Sequence, residues 1–392
     1  MDKKLYDLFD LGAAREGTGC EKWDGRERVF GRADVLPLWV ADMDFKSPEA
    51  VISALTQRAA HGVYGYAAGR DETNRAVVNW LKNRHGLDAR AEWITYSPGV
   101  VSSLLFALRA VTRPGDKVAL QPPVYGPFYQ MAERAGLQIF RNPLVWTQAG
   151  WRMNLDQLED GLKSGVKAIM LCSPHNPVGR VWTRDELGAV CALAGRYGAH
   201  IISDEIHMDF EMPGYRHSPI LTIPGGERAI MLCSATKTFN LAGLNTSSIV
   251  IADEQLRGQV RRVMEQSGVG GNNIFGEIAQ TAAYESGGPW LDALIDYLDG
   301  TRALCESFIA QRLPELTLTR AEGTYLLWLD MRALHMEQDR LMCFLVEKAG
   351  LGLSDGVFFG PEGKGYVRVN IATPRRNVRR ALEMLSGAIR AL

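Results

Sequence analysis

Between about residues 90 and 252, short apolar runs alternate with segments of helical periodicity. The runs are continuously rather than alternately apolar, which is typical of strands that are buried on both faces of a sheet. Helical patterns at 101–111, 126–135 and 183–197 separate the runs. The strand candidates lie at 93–96, 117–120, 168–172, 200–204, 229–233 and 248–251. This alternation predicts an α/β fold with a large domain built on a mostly parallel sheet that helices cover.

The pattern changes near residue 288, where a long amphipathic stretch predicts a connecting helix. Strand and helix candidates then follow at 316–319, 325–329, 339–349, 366–369 and 375–392. A chain of 392 residues is too long for one ordinary core, so we expect two domains. The predicted division is an N-terminal segment at 1–48 that packs with the small domain, a large domain at 49–287, and a smaller α+β domain at 288–392.

Composition excludes several classes of function. The net charge of −1 gives no basic face for nucleic acid. The six cysteines are scattered without a CxxC pair, so neither a metal site nor a disulfide framework is indicated. No run of about 18 apolar residues occurs and the N-terminus has no cleavage signal. We therefore expect a cytoplasmic protein without membrane or nucleic-acid partners.

A lysine stands just beyond the strand candidate at 229–233. It is Lys237, and the hydroxyl residues Ser234 and Thr236 come directly before it. An amine held at a strand end beside hydroxyl donors suits pyridoxal phosphate, because the amine reacts with the aldehyde and the hydroxyls bind the phosphate. The competing interpretation is a solvated surface lysine.

Two turns at other strand ends offer groups of the same kind. Gly99 permits a close backbone approach, and the free N–H groups of Val100 and Val101 at a helix start would bind an anion. Prolines on both sides of His-Asn fix a loop that presents Asn176, whose amide can donate to the phenolic oxygen of a pyridoxal ring. Both segments are also compatible with ordinary turns.

The strand at 200–204 ends in a carboxylate, Asp204, which could pair with a pyridine nitrogen. Glu205 is the weaker candidate, because neighbouring strand positions point to opposite faces. His207, three residues after Asp204, could reach the same pocket or serve a structural role.

An aromatic residue and an arginine complete the set. Tyr125 follows a Pro-Pro turn and could stack on a planar ring, or pack in a core. Arg368 lies between apolar residues of the last strand candidate. A buried guanidinium needs a partner, which is either a substrate carboxylate or an internal acid.

The motifs that hold these residues resemble those of the fold-type I pyridoxal-phosphate enzymes, the aspartate aminotransferase superfamily. They are SPHNPVG at 173–179, SDEIHMD at 203–209, SATKTFN at 234–240 and YVRVNIA at 366–372. Further segments are similar to the MalY/PatB group of cysteine-S-conjugate, or cystathionine, β-lyases. These are REGT at 15–18, KWD at 22–24, WVADMDF at 39–45, VYGY at 63–66 and EGTYLLWLD at 322–330.

The resemblance implies a role for each candidate. Lys237 would be the Schiff-base lysine and proton shuttle, Asp204 the partner of the pyridine nitrogen, and Asn176 the partner of the ring phenolate. Tyr125 would stack on the ring and Arg368 would hold the substrate carboxylate. The phosphate would be bound by Val100, Val101, Ser234 and Thr236, with Tyr66 added from the other subunit of a homodimer. His207 stands where aminotransferases usually carry a tyrosine.

The resemblance also implies a reaction, namely elimination of a thiol from L-cystathionine or another cysteine S-conjugate, which leaves pyruvate and ammonia. An aminotransferase is the first alternative, since it shares every step up to loss of the α-proton. A regulatory role through binding of another protein is the second, because the lyase group includes such a member.

Overall fold

The computed structural model describes residues 3–69, 71–269 and 273–392. Its strands are β1 (Leu36–Pro37), β2 (Ile94–Ser97), β3 (Lys117–Leu120), β4 (Gln138–Arg141), β5 (Val145–Thr147), β6 (Gly150–Arg152), β7 (Val166–Cys172), β8 (His200–Asp204), β9 (Ile230–Cys233), β10 (Ser247–Val250), β11 (Thr317–Leu318), β12 (Leu326–Asp330), β13 (Leu351–Gly352), β14 (Ser354–Asp355) and β15 (Tyr366–Asn370). Residues 1, 2, 70 and 270–272, which fall within the predicted domains, lie outside the described residues.

The helices alternate with the strands of the main sheet and surround the smaller one. They are α1 (Lys3–Leu11), α2 (Glu21–Asp24), α3 (Arg26–Phe30), α4 (Glu49–Ala60), α5 (Asp71–His85), α6 (Val100–Val111), α7 (Pro127–Arg134), α8 (Leu155–Lys163), α9 (Arg184–Tyr197), α10 (Ala235–Thr238), α11 (Glu254–Gln266), α12 (Ile274–Ser286), α13 (Gly288–Arg312), α14 (Gln338–Glu347) and α15 (Arg375–Arg390).

The main sheet has seven strands in the order β2-β10-β9-β8-β7-β3-β4. Within the described residues, β10 is the only strand of this sheet that is antiparallel to both of its neighbours, β9 and β2. The predicted α/β class and mostly parallel sheet are therefore confirmed. Strand β4 was not predicted, because it is an edge strand whose residues are exposed or half-buried and so lacks a continuous apolar run.

Successive residues of β7 point into two different cores, which explains the continuous apolar runs. Ile169 and Leu171 pack in one cluster, whereas Ala168, Met170 and Cys172 pack in the other. Helices α6, α7 and α11 contribute to the second cluster, and α5, α9 and α12 to the first. The sheet is thus covered on both faces, and its carboxyl edge is left open for a ligand.

A smaller antiparallel sheet in the order β11-β12-β15-β14 follows α13. The N-terminal segment lies against this part of the chain: β1 pairs in parallel with β13, and the Tyr297 hydroxyl of α13 donates to Asp10 at 2.6 Å. Arg368 on β15 is directly opposite Trp328 on β12. The domain division at residues 48 and 287 stays a prediction.

Two features are absent from the part of the chain that the structure describes. No helix there is long and apolar enough to cross a membrane. No group of three or more His, Cys, Asp or Glu side chains there is placed to hold a metal ion. All six cysteines are free thiols, of which four are buried.

Candidate active site

A cavity of about 320 Å³ lies at the carboxyl edge of the main sheet. Loops after β2, β3, β7, β8 and β9 supply its walls, as expected for an open α/β sheet. Most of the candidate residues come together here, namely Val100, Val101, Tyr125, Asn176, Asp204, His207, Thr236 and Lys237.

One end of this cavity is built to bind an anion. Gly99 has φ 123° and ψ 155°, a conformation that is essentially restricted to glycine, and it turns the chain into α6. The first N–H groups of this helix, which begins at Val100, have no acceptor within the helix. Thr236 lines the same cavity as these groups. Ser234 stands behind Thr236, with its hydroxyl 2.8 Å from that of Thr236 and 2.6 Å from the Thr246 carbonyl oxygen.

The amine of Lys237 lies at the middle of the cavity and donates to the Ala41 carbonyl oxygen at 2.5 Å. The pKa of Lys237 is lowered to about 8, mainly by burial; the charge of Arg368 acts in the same direction, and the charges of Asp42 and Asp204 oppose it. The neutral fraction of this amine near physiological pH, roughly a tenth, is therefore far larger than that of an ordinary lysine, as a base or nucleophile requires.

Asp204, at the end of β8, is a buried carboxyl group without a cation at ion-pair distance among the described residues. Its Oδ1 accepts a hydrogen bond from the Ile206 N–H at 3.1 Å. Burial raises the pKa of Asp204 to about 7, despite that hydrogen bond, and the charge of Glu205 adds to the increase. A ligand that brings an N–H donor or a positive charge would stabilise the ionised form of this acid.

Asn176 and Arg368 contact each other across the cavity wall. The Arg368 Nη1 donates to the Asn176 Oδ1 at 3.1 Å, and its Nη2 donates to the Trp39 carbonyl oxygen at 2.8 Å and to the Ser354 hydroxyl at 3.1 Å. Burial lowers the pKa of Arg368 to about 10. Because the oxygen of Asn176 is occupied, its amide N–H groups are the part that can bind a ligand.

His207 is buried between the cavity and the rings of Phe210 and Tyr325, whose centroids lie 6.4 and 5.9 Å from its own. Its Nδ1 is buried without a hydrogen-bond partner. Burial holds the pKa of His207 well below its usual value, and the charges of Lys237 and Arg368 lower it further. His207 is therefore a neutral ring at neutral pH that lines the cavity.

Tyr66 differs from the other predicted site residues because it is fully exposed to solvent. Its side chain is fully exposed, with a relative exposure of 110%, and it does not line the cavity of its own chain. Val63 and Tyr64 beside it are also exposed. Tyr66 is therefore accessible to other molecules, including a second copy of the chain.

The family model described as aminotransferase class I and II matches residues 33–385 of this chain. The chain belongs to that family.

Three relatives define its position within the family. Cystathionine β-lyase PatB of Bacillus subtilis is 39% identical over 385 residues, which covers 96% of this chain and all of PatB. Protein MalY of Escherichia coli is 34% identical over 390 residues, with 98% of this chain and all of MalY covered. A PLP-bound putative aminotransferase from Clostridium difficile superposes with a TM-score of 0.95 at 36% identity, covering 97% of this chain and 99% of that one. The predicted resemblance to the MalY/PatB group is thus confirmed.

The sequence interpretation missed the role of residues 39–45, which we call the active-site strap and of which Ala41 lines the cavity. The Ala41 carbonyl oxygen accepts from both the Lys237 amine and the Tyr325 hydroxyl, at 2.5 and 2.9 Å. The Asn370 amide donates to the carbonyl oxygens of Val40 and Asp42, each at 2.6 Å. The motif WVADMDF marks the segment, but a backbone carbonyl has no residue signature that reveals its function.

A buried charge cluster holds the strap in place. Asp44 accepts hydrogen bonds from Lys22 at 3.0 Å, Arg15 at 3.1 Å and Trp23 at 2.9 Å. Burial alone would raise the pKa of Asp44, but the charge of Lys22 and these hydrogen bonds hold it below its usual value. The Lys22 side chain is itself fully buried, so both partners depend on this contact.

Behind the cavity lie two buried carboxylates that are fully paired. Asp209 accepts from Trp80 at 2.9 Å, from His85 at 2.7 Å and from the Thr238 hydroxyl at 2.6 Å. Because Thr238 follows Lys237 in α10, this contact fixes the lysine-bearing helix.

The second paired carboxylate is Glu205, which confirms that this residue points away from the cavity. It accepts from Ser203 at 2.8 Å, from His217 at 2.8 Å and from the Ile220 N–H at 2.9 Å. The carboxylate of Glu205 therefore stabilises the structure behind β8 through hydrogen bonds and does not line the cavity.

Proposed function

We propose that this chain is a pyridoxal-phosphate-dependent carbon–sulfur lyase that eliminates a thiol from L-cystathionine or a related cysteine S-conjugate. The observation that carries the proposal is its 39% identity to cystathionine β-lyase PatB over essentially the full length of both chains. The cavity supports it independently, because a lysine of lowered pKa lies there beside an anion site, an unpaired acid and a buried arginine.

The residues of the cavity fit pyridoxal phosphate by the chemistry of their groups. Asp204 has no cation at ion-pair distance in the described part of the chain and would offer an acceptor to the ring nitrogen, while the amide of Asn176 would offer a donor to the ring oxygen. Lys237 supplies the amine for the aldehyde, and Tyr125 a ring for stacking. The phosphate would be held by the helix start at Val100 and Val101 together with Ser234 and Thr236. When bound, the cofactor withdraws electrons from the substrate α-carbon and so makes its proton acidic.

Residues of the chain would orient the substrate and accept its α-proton. Arg368 orients the substrate by pairing with its α-carboxylate, which a guanidinium can hold through two parallel hydrogen bonds. The neutral Nζ of Lys237 accepts the α-proton. As the Cβ–S bond breaks, its electron pair leaves with the sulfur as a thiolate. The unsaturated amine that remains takes up water and yields pyruvate and ammonia.

The proposal includes a homodimer. Tyr66, Tyr64 and Val63 form an exposed apolar segment on this chain, and a second copy would cover it. Tyr66 would then reach the phosphate site of the partner subunit.

An aminotransferase is the second candidate, favoured by the close superposition on the putative aminotransferase from Clostridium difficile. The two functions share the α-proton step and separate afterwards. A lyase turns over with its amino-acid substrate alone, whereas an aminotransferase needs a keto acid to regenerate its cofactor.

The test is to incubate the protein with L-cystathionine in the absence of any keto acid and to measure pyruvate and free thiol. Many turnovers per active site are expected, with none in Lys237→Ala. The matched control is Lys167→Ala, because Lys167 is an exposed lysine near the opposite end of β7. Turnover that depends on added keto acid would refute the lyase and support the aminotransferase.

A further inference from the structure

A second cavity, of about 590 Å³, opens beside the first and shares Ala41, Tyr125 and Lys237 with it. Arg368, which would hold the substrate carboxylate, also lines this second cavity. A substrate fixed between Lys237 and Arg368 therefore has space next to it that the cofactor does not need. We call this space the distal cavity and define its apolar wall as Phe30, Trp39, Met342, Val346, Leu353 and Phe358.

The apolar wall is held in place by its own packing. The Phe30 and Trp39 rings meet edge to face, with centroids 5.4 Å apart. Gly352 leaves the space for Phe30, since a Cβ at that position would lie 2.7 Å from the Phe30 ring. On the other side, Phe358 packs edge-on to Tyr125 with centroids 6.0 Å apart. Such a wall can exclude water from a thioether substituent without first being ordered.

Among the described residues, the charged groups that line the distal cavity are two acids and two cations, and neither cation is free. Glu347 and Asp355 line it. Asp355 is fixed by the Gln338 amide, which donates to its Oδ1 at 2.6 Å. The cations among the described lining residues are Lys237 and Arg368, and both are engaged at the reaction end. A carboxylate at the far end of a substituent would thus meet two like charges and no partner.

We propose that the distal cavity binds the S-substituent of the cysteine conjugate, and that it selects uncharged apolar substituents over those that end in a carboxylate. The inference rests on the proposed lyase function, since it concerns the same site. Each further methylene that becomes buried there should raise kcat/KM by about fourfold.

The test uses two substrates of matched size, S-(3-methylbutyl)-L-cysteine and S-(2-carboxyethyl)-L-cysteine, which differ in the charge of the terminal group. We expect kcat/KM for pyruvate formation to be at least about tenfold higher for the alkyl conjugate. β-Chloro-L-alanine serves as the reference substrate, because its chloride leaving group is too small to extend into the distal cavity. Each kcat/KM is divided by the reference value.

Met342 on α14 allows the cavity itself to be tested. Met342→Arg adds a cation to the apolar wall and should reduce the preference for the alkyl conjugate by about tenfold or more, while Met342→Leu keeps the wall apolar and should preserve it. If the wild-type protein does not prefer the alkyl conjugate, or if Met342→Arg leaves that preference unchanged, the inference about the distal cavity is wrong, while the proposed lyase function is unaffected. A wild-type protein that does not release pyruvate from β-chloro-L-alanine would instead overturn the proposed lyase function.

Discussion

The lowered pKa of Lys237 leads to a prediction about how fast this chain captures its cofactor. The amine is buried at the centre of the cavity, and burial brings its pKa down to about 8. Only the neutral amine can attack an aldehyde. The rate of covalent attachment of pyridoxal phosphate to cofactor-free protein should therefore follow the deprotonation of Lys237.

The expected advantage over an ordinary lysine can be calculated. With a pKa of about 8, roughly a tenth of the Lys237 amine is neutral at about pH 7. An unperturbed lysine, with a pKa of about 10.4, is neutral to only about one part in 2,500 at that pH. At equal intrinsic reactivity, Lys237 should thus react roughly 200-fold faster than a free lysine side chain.

The assay follows growth of the visible absorbance of the bound cofactor after mixing, at a series of pH values from about 6.5 to about 10. Dividing each rate by that of Nα-acetyl-lysine amide removes the ionisation of the cofactor itself. The absolute rate for the protein should rise about tenfold per pH unit at first and level off above about pH 9. A rate that continues to rise through about pH 10 would refute the lowered pKa.

Two variants should move this transition in opposite directions. The positive charge of Arg368 lowers the pKa of Lys237 and the negative charge of Asp42 raises it. Arg368→Gln should therefore shift the transition to higher pH, and Asp42→Asn to lower pH. Shifts in the same direction for both variants would mean that general loosening of the site, rather than charge, sets the reactivity.

Three further predictions concern the support of the site. Asp209→Ala leaves three buried donors without an acceptor and should cost about 3–6 kcal/mol in urea unfolding, whereas Asp209→Asn, which keeps the shape, should cost about 1–2 kcal/mol; equal losses would contradict this. Lys22→Met removes one of the two cations that pair with the buried Asp44, while Arg15 remains, and should lower stability by about 2 kcal/mol. The exposed control Lys82→Met should cost less than about 0.5 kcal/mol. Gly99→Ala forces a side chain into a conformation that favours glycine, so it should cost about 1–3 kcal/mol and weaken cofactor binding in a fluorescence titration; unchanged binding would argue against a role for this turn in the anion site.

The parts of the fold that could be predicted from the sequence are those in which a residue type is directly linked to its environment, such as apolar residues to burial. Strands such as β7 and β9 are buried on both faces, so their continuous apolar runs predict them directly. Polar residues placed just after such runs must lie at the carboxyl edge of the sheet, which brought Asn176, Asp204 and Lys237 together in the prediction.

The parts that the sequence did not reveal are contacts made by the backbone or by tertiary packing. The Ala41 carbonyl oxygen that holds Lys237 belongs to a residue without any polar side chain. The distal cavity combines Phe30, Met342 and Phe358, which are more than 300 residues apart at the extremes and share no motif. Such groupings follow from how the N-terminal segment lies against the smaller sheet, which no local pattern specifies.

A comparison of three acids shows how the structure separates a functional group from a structural one. Glu205, Asp209 and Asp204 are almost equally buried. Glu205 and Asp209 each lie at hydrogen-bond distance from a histidine nitrogen, 2.8 and 2.7 Å respectively, and each accepts two further hydrogen bonds, so the protein itself offsets the cost of burying them. Asp204 has one backbone N–H as its hydrogen-bond partner among the described residues and bears a pKa raised to about 7. Since a fold tolerates an unpaired buried acid when a bound ligand later stabilises it, we propose that Asp204 marks the position of the cofactor's ring nitrogen.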